Sequence, residues 1–165
     1  MKRRGVRLYN LILPVWLLWI LPPVWLIILP GNLLIDVLAV LAALAALKRR
    51  DKRRILGRLW RRVWLLGFAA DAAGVAWLLL GAFSAAWTSG SGWAEAVNPV
   101  MHDPFAHPVA FLWTAAAVAL SGVCIYFFDR KVLGKIDGLT DREGRVIALT
   151  LAIVTAPWTF FIPVY

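Results

Sequence analysis

Two acidic residues, Asp36 and Asp71, lie within long apolar stretches of the sequence, where a charged side chain is unexpected. An ionised, unpaired carboxylate is costly inside a membrane, and such residues mark ion paths, proton relays or ligand sites. Neither stretch contains a lysine or an arginine that could pair with its acid. A bound proton, a bound cation, or solvation by hydroxyl groups and water would each offset the cost. The sequence therefore predicts a proton or small-cation site at Asp36 and Asp71.

Small residues share a helical face with each acid. Alanines follow Asp36 at helical spacing, and a glycine recurs at every seventh position around Asp71. Small residues at such intervals allow helix backbones to approach closely in a membrane. We therefore predict that both acids face packed protein rather than lipid, while leaving open whether they face each other. The predicted helix-packing residues are Gly67, Gly74, Gly81, Ala39 and Ala43.

Two hydroxyl residues, Ser121 and Thr155, fall at a comparable depth in later apolar stretches, roughly 10 and 14 Å from the inner ends of their helices. They are predicted to join the acids in an ion- or proton-binding belt. The alternative role is structural: each acid hydrogen-bonds a hydroxyl group or a backbone carbonyl and only holds helices together. The sequence does not decide between these two roles.

The composition is that of a membrane protein. The chain has 165 residues, of which 62% are hydrophobic and 16% are charged, whereas soluble domains are about half apolar and a quarter charged. Disorder and a nucleic-acid-binding module are disfavoured, and a single cysteine excludes an internal disulfide. We predict one transmembrane domain over residues 1–165, located in the plasma or inner membrane of the cell as a multi-pass protein.

Five apolar runs have lengths suited to a hydrocarbon core of about 30 Å, which a helix of about 20 residues crosses. The run at 32–47 is short, so it either crosses with help from Lys48 and Arg49 at its end or is re-entrant. The predicted fold class is an all-α polytopic membrane bundle of five transmembrane helices. The spans are about 9–29, 32–47, 63–87, 109–128 and 146–163.

The basic residues decide the predicted orientation. All 18 lysines and arginines fall in three patches, at residues 2–7, 48–62 and 130–145. Short loops rich in Lys and Arg stay in the cytoplasm, which places the N-terminus and the loop 48–62 inside. The loop 88–108 and the C-terminus are then outside. To keep every basic residue on one side, the chain needs a tight outer turn at residues 30–32.

The loop 48–62 is also amphipathic, with Ile55 and Leu59 on one face and arginines on the other. Such a stretch either lies at the inner headgroup surface or continues the third helix inward. Each basic side chain near an anionic leaflet contributes about 1 kcal/mol of attraction, so anionic lipids at the cytoplasmic face are the predicted partner. A plain topology signal is the alternative, and we favour it over lipid or partner docking. The predicted headgroup-binding residues are Arg53, Arg54, Arg58, Arg61 and Arg62.

Two adjacent prolines, Pro22 and Pro23, stand inside the first predicted span. Proline lacks a backbone donor and clashes with the preceding helical turn, so a kink or a break is expected there. Broken helices recur at ion and substrate sites of transporters, although plain kinks are also common in membrane helices. A kink or helix break is the prediction for this pair, and a break that shapes a cavity is part of the transport hypothesis only, because we favour a plain kink.

The outer loop holds three metal-capable side chains in a proline-rich segment. His102, Asp103 and His107 are close in sequence, but they match no recognised zinc spacing. They are weak metal candidates, and we favour a polar, turn-rich cap over the bundle that is stiffened by proline. No cofactor is predicted.

Transport is the primary functional hypothesis: a transporter or channel component that moves protons or small cations past the two acids. The alternative is a non-catalytic accessory or assembly subunit that docks on a larger membrane complex. It would use small-residue stripes and the basic inner surface, and a homo-oligomer is compatible with the same features. An enzyme is not expected, because the sequence has no HExxH, GxSxG or Walker A motif.

Overall fold

The computed structural model describes residues 22–163, with side chains from Leu26 onward, and it is all-helical over that range. Five helices and three 3-10 turns follow one another along the chain. The helices are α1 (Pro22–Ala46), α2 (Lys52–Trp87), α3 (Gly92–Val97), α4 (Pro108–Leu133) and α5 (Asp141–Val154). The 3-10 turns are Asn98–Met101, Pro104–Ala106 and Trp158–Phe161.

The described chain is all-helical, as predicted, and four of its segments are long and apolar enough to cross a membrane. Large apolar side chains cover the outside of the bundle, and Leu26, Leu65 and Leu112 are each more than half exposed. A continuous apolar surface of this kind suits lipid rather than water. The four segments are Leu26–Ala46, Lys52–Trp87, Pro108–Leu133 and Asp141–Phe161.

The predicted outer turn at residues 30–32 is wrong, because α1 runs through it without interruption. Pro30 removes one donor from the helix, but a membrane favours keeping the other backbone hydrogen bonds within the segment. The indole of Trp64 in α2 donates to the carbonyl of Leu29, with N and O 3.3 Å apart, and braces this turn. Residues 32–47 are therefore the second part of one helix rather than a separate short span.

Two predictions about the start of the chain fall on residues outside the described range: the cytoplasmic N-terminus and a crossing that begins at residue 9. Pro22 and Pro23 are the first described residues of α1. Because the residues before them lie outside the described range, the helix break at this pair stays a prediction. Residues 22–163 supply four candidate spans, so a fifth crossing stays a prediction.

Helices α2 and α4 are longer than predicted at the end of the bundle that carries the basic residues 48–62 and 130–145, called the basic end below. α2 begins at Lys52, so the amphipathic stretch continues this helix, which is one of its two predicted forms. Ile55 and Leu59 are buried on its inner face. α4 extends beyond residue 128 to Leu133.

The span predicted at 146–163 is not one helix. α5 begins earlier, at Asp141, because Thr140 and Glu143 form a capping box that satisfies the first backbone donors. It ends at Val154, and Pro157 then separates it from the last 3-10 turn, since proline cannot continue the hydrogen-bond ladder. The chain thus turns at the opposite end of the bundle, called the loop end below, where residues 88–108 also lie.

Arg49 joins the two connections at the basic end. Its guanidinium donates to the Asp51 carboxylate at 2.9 Å, to Glu143 at 3.3 Å and to the Gly138 carbonyl at 2.9 Å. The link between α1 and α2 is therefore bound to the link between α4 and α5. The hydrogen bond from Arg49 also holds the pKa of Asp51 below its usual range.

Glycines let α2 and α4 pack in direct contact. A Cβ placed on Gly74 would collide with Ser121 Oγ and would lie 3.1 Å from the Ala117 carbonyl oxygen. Seven residues along α2, a Cβ on Gly81 would lie 2.5 Å from the indole nitrogen of Trp113. From Gly74 to Gly81 along α2, the contact on α4 moves back from Ser121 to Trp113. The two helices are therefore antiparallel.

Helix α1 contacts α2 at two described points. Leu29 accepts the hydrogen bond from Trp64, and Asp36 Oδ2 would lie 3.8 Å from a Cβ on Gly67.

Substitution at Gly74 tests the close contact between α2 and α4. Gly74→Ala is expected to destabilise the protein by about 1–3 kcal/mol, because an overpacked contact forces side chains or backbone to move. Gly57→Ala, on the same helix, is the matched control, since a Cβ there meets nothing within 4 Å. Equilibrium unfolding in mixed micelles measures both variants, and equal stabilities would contradict the contact.

Candidate functional site

Asp36 and Asp71 line the same cavity, which has a volume of about 340 Å³. It lies between α1 and α2, and the rest of its lining comes from residues of the loop end, within 100–104 and 154–162. This volume lies within the range of small-molecule sites, at about 300–1,000 Å³. The other polar side chains of the lining come from Asn32, His102, Thr155 and Thr159.

The two acids are held in an apolar setting without a protein partner. Asp36 is 8% exposed and Asp71 is 9% exposed, and neither makes a hydrogen bond or an ion pair with another described residue. One carboxylate oxygen of Asp71, Oδ1, is fully enclosed and has no hydrogen-bond partner. Buried polar groups in proteins are nearly always paired, so these carboxyls are candidates for a proton or a cation.

Small residues lie beside Asp36. A Cβ placed on Gly67 would lie 3.8 Å from Asp36 Oδ2, at ordinary van der Waals distance. Ala39 and Ala43 are buried on the same helix as Asp36, at 4% and 3% exposure, and bring α1 close to its neighbours. The small residues that the spacing singles out thus lie inside the bundle.

The two hydroxyl residues of the predicted belt have different positions. Thr155 lines the cavity, and its hydroxyl donates to the Leu151 carbonyl at 2.9 Å. Ser121 is fully buried between α2 and α4 beside Gly74, outside the cavity lining, and its Oγ has no hydrogen-bond partner among the described residues. Only Thr155 therefore shares the cavity with the acids.

The three metal candidates do not converge on one point. Asp103 accepts from the Phe105 amide at 3.0 Å, and His107 Nδ1 accepts from the Val109 amide at 3.1 Å, so both cap helical turns. His102 lines the cavity. No group of three metal-capable side chains exists within residues 22–163.

A third buried acid, Asp129, was missed by sequence reasoning. It lies in α4, is 2% exposed, and its Oδ1 has no hydrogen-bond partner among the described residues. The predicted span stops at residue 128, and the neighbouring Arg130 makes Asp129 resemble part of a solvated basic patch. The signal was its spacing, because Ser121, Ile125 and Asp129 repeat every four residues and so share one helical face.

The predicted headgroup arginines all lie on the exposed side of α2 near the basic end. Arg61 lies over the ring of Trp60, with 5.1 Å from its guanidinium carbon to the ring centroid. Arg58 approaches Asp137 at 3.9 Å, both side chains being well exposed, so this pair adds little to stability. Arg53, Arg54 and Arg62 are likewise exposed.

Comparisons with protein-family models, with curated proteins and with solved structures found no match for this chain.

Cysteine labelling tests whether the environments of Thr155, which lines the cavity, and Thr114, which is fully buried, differ. In a Cys124→Ala background, Thr155→Cys is expected to react with a small water-soluble thiol reagent, because Thr155 lines the cavity. Thr114→Cys is the matched control, since Thr114 is fully buried and outside the cavity lining. Equal labelling rates at the two positions would show that water does not reach the cavity preferentially.

Proposed function

We propose that this protein is a membrane transporter or channel component that moves protons or small cations through the cavity lined by Asp36 and Asp71. The supporting observation is the meeting of both carboxyls in one cavity without a protein partner. An ionised carboxylate in such a place is stabilised when a proton or a cation binds to it, because burial removes its hydration. Binding from the cavity follows directly from that cost.

A purely structural role for the two acids has less support. Acids that hold helices together need donors, and neither Asp36 nor Asp71 has one among residues 22–163. A buried carboxylate without a partner destabilises a fold, whereas an apolar side chain of similar size would pack without that cost. The presence of acids at these two positions is therefore better explained by the binding of a proton or a cation than by a contribution to stability.

The orientation of the protein follows from its charges. The basic residues of α2 and of the connection between α4 and α5 gather at one end, where Arg49 joins the two connections. By the positive-inside rule this end faces the cytoplasm, and the loop end and the C-terminus face outward. The cavity then lies toward the outer side, so protons or cations would enter it from outside the cell.

Flux measurements test the proposed function. Asp36→Asn and Asp71→Asn are each expected to lower proton or cation flux into proteoliposomes by at least about tenfold, which corresponds to about 1.4 kcal/mol in the barrier. Asparagine has nearly the same shape but binds neither a proton nor a cation as a carboxylate does. Glu95→Gln, at an exposed acid of α3, is the control and is expected to leave flux unchanged. Unchanged flux in both aspartate variants would end the proposal.

The alternative is an accessory subunit of a larger membrane complex. It relied on small-residue stripes and on the basic inner surface, and the stripes are not available for docking. Ala39, Gly74 and Gly81 are buried within the chain, so they are not free to bind a partner helix. The exposed arginines of α2 and the exposed apolar side chains of Leu26 and Ile27, at 78% and 76%, still offer a docking surface. Co-purification of a defined partner, with no flux by the isolated protein, would favour this alternative.

A further inference from the structure

We propose that the cavity beside Asp36 and Asp71 binds a small organic ammonium ion, with its charge at the two carboxyls and its apolar body against aromatic rings. The inference rests on the proposed function and names its substrate class. It is carried by the cavity itself, because the described lining combines two buried acids with four Trp and Phe side chains and contains no lysine or arginine.

The cavity is far larger than a bare metal ion needs. Its volume is about 340 Å³, whereas about 10–15 Å³ is enough to hold one water molecule. Volumes above about 300 Å³ are typical of sites for small organic molecules, which are mostly apolar and hold a few polar groups that fix the ligand. The lining follows this pattern, because Asp36 and Asp71 are set among apolar and aromatic side chains.

The two carboxyls lie close enough to act on one ligand. Asp36 Oδ2 lies beside Gly67, and Asp71 is one helical turn further along the same face of α2. Both acids are more than nine-tenths buried, and Asp71 Oδ1 is enclosed without a hydrogen-bond donor. His102, the remaining ionisable side chain of the described lining, makes no ion pair with either acid. The positive charge that these carboxylates need must therefore come from a ligand.

Aromatic rings supply the second part of the site. Trp64 and Phe68 lie one helical turn apart on α2, and their rings are in edge-to-face contact with centroids 5.6 Å apart. Trp158 and Phe160 of the last 3-10 turn complete the aromatic lining. The face of an aromatic ring attracts a cation within about 6 Å of its centroid, and aromatic cages recognise organic ammonium groups in this way.

Hydrogen bonds fix the two indole rings and use up their donors. The Trp64 indole donates to a backbone carbonyl of α1 at 3.3 Å, and the Trp158 indole donates to a carbonyl of α5 at 2.9 Å. The Thr155 hydroxyl donates to another carbonyl of α5 at 2.9 Å. These three donors are therefore not available to the acids. What they leave in the cavity is ring faces and an acceptor oxygen, which are complementary to a cation.

The same lining suits an inorganic cation less well. Calcium takes six to eight oxygen ligands, and magnesium requires a nearly octahedral set. The described residues contain no cluster of three His, Cys, Asp or Glu side chains that could contribute to such a shell. An organic ammonium ion needs fewer oxygens, because carboxylates satisfy its charge and apolar side chains replace water around its carbon atoms.

Calorimetric titration of the purified protein in detergent micelles tests the charge requirement. The probe is (3-hydroxyphenyl)trimethylammonium, and its neutral match is 3-tert-butylphenol, in which carbon replaces the charged nitrogen. The charged probe is expected to bind at least about tenfold more tightly than the neutral one. Asp36→Asn and Asp71→Asn are each expected to weaken its binding by at least about tenfold. Sodium chloride at the concentration of the probe is expected not to displace it.

Substitution of Trp64 tests the ring contact separately from packing. Trp64→Phe and Trp64→Leu lose the same indole hydrogen bond, but only phenylalanine keeps a ring face. Trp64→Phe is expected to bind the charged probe within about threefold of the wild-type affinity, and Trp64→Leu at least about tenfold more weakly. Trp87→Leu, at a 90% exposed indole outside the cavity lining, is the control and is expected to bind normally.

The outcomes separate this inference from the proposed function. Equal affinities for the two probes, displacement by sodium, or full binding in both aspartate variants would overturn the organic-cation site. Equal affinities in Trp64→Phe and Trp64→Leu would overturn the part assigned to the aromatic rings. Flux of protons or sodium that depends on Asp36 and Asp71, without binding of the charged probe, would leave the proposed function in place and end this inference alone. Binding of the charged probe without any flux in proteoliposomes would do the reverse.

Discussion

The fold depends on one face of α2, where glycine replaces larger side chains. Gly74 and Gly81 bring α4 into direct contact, and Gly67 lies beside Asp36 of α1. Without the hydrophobic effect to drive helices together in lipid, such close backbone packing is a main source of association. Asp71 lies on this same face, so the contact that assembles the bundle also sets the position of an acid at its centre.

The second constraint is the cost of a carboxylate in an apolar interior. Three acids, Asp36, Asp71 and Asp129, are buried without a basic partner among the described residues. The ion pairs at the basic end are different, because Arg49 and Arg130 bind acids near the ends of helices. Acids near the ends of helices are thus paired with arginines, whereas the three interior acids are not. That contrast supports the proposed transport role of the interior acids.

Sequence reasoning recovered what depends on local pattern. Composition and run length predicted a helical membrane protein, and helical spacing placed Asp36 and Asp71 in buried positions. It was wrong at residues 30–32, because that turn was inferred from the distribution of basic residues, whereas α1 keeps its backbone hydrogen bonds within the segment and is braced by Trp64. The packing of α1 against α2, and hence the cavity, depends on contacts between distant segments that no local pattern contains. Asp129 was missed because Arg130 and Lys131 follow it in sequence, whereas it is buried in the structure.

The central claim is that the interior carboxyls exchange protons with water on the loop-end side. Infrared difference spectroscopy of the reconstituted protein measures this directly, through the carbonyl stretch of protonated carboxyl groups as the external pH is changed. The account predicts a carboxyl band that responds to external pH and is reduced in Asp36→Asn and in Asp71→Asn. A spectrum in which no protonated carboxyl responds to pH, or a response that both variants retain in full, would contradict it.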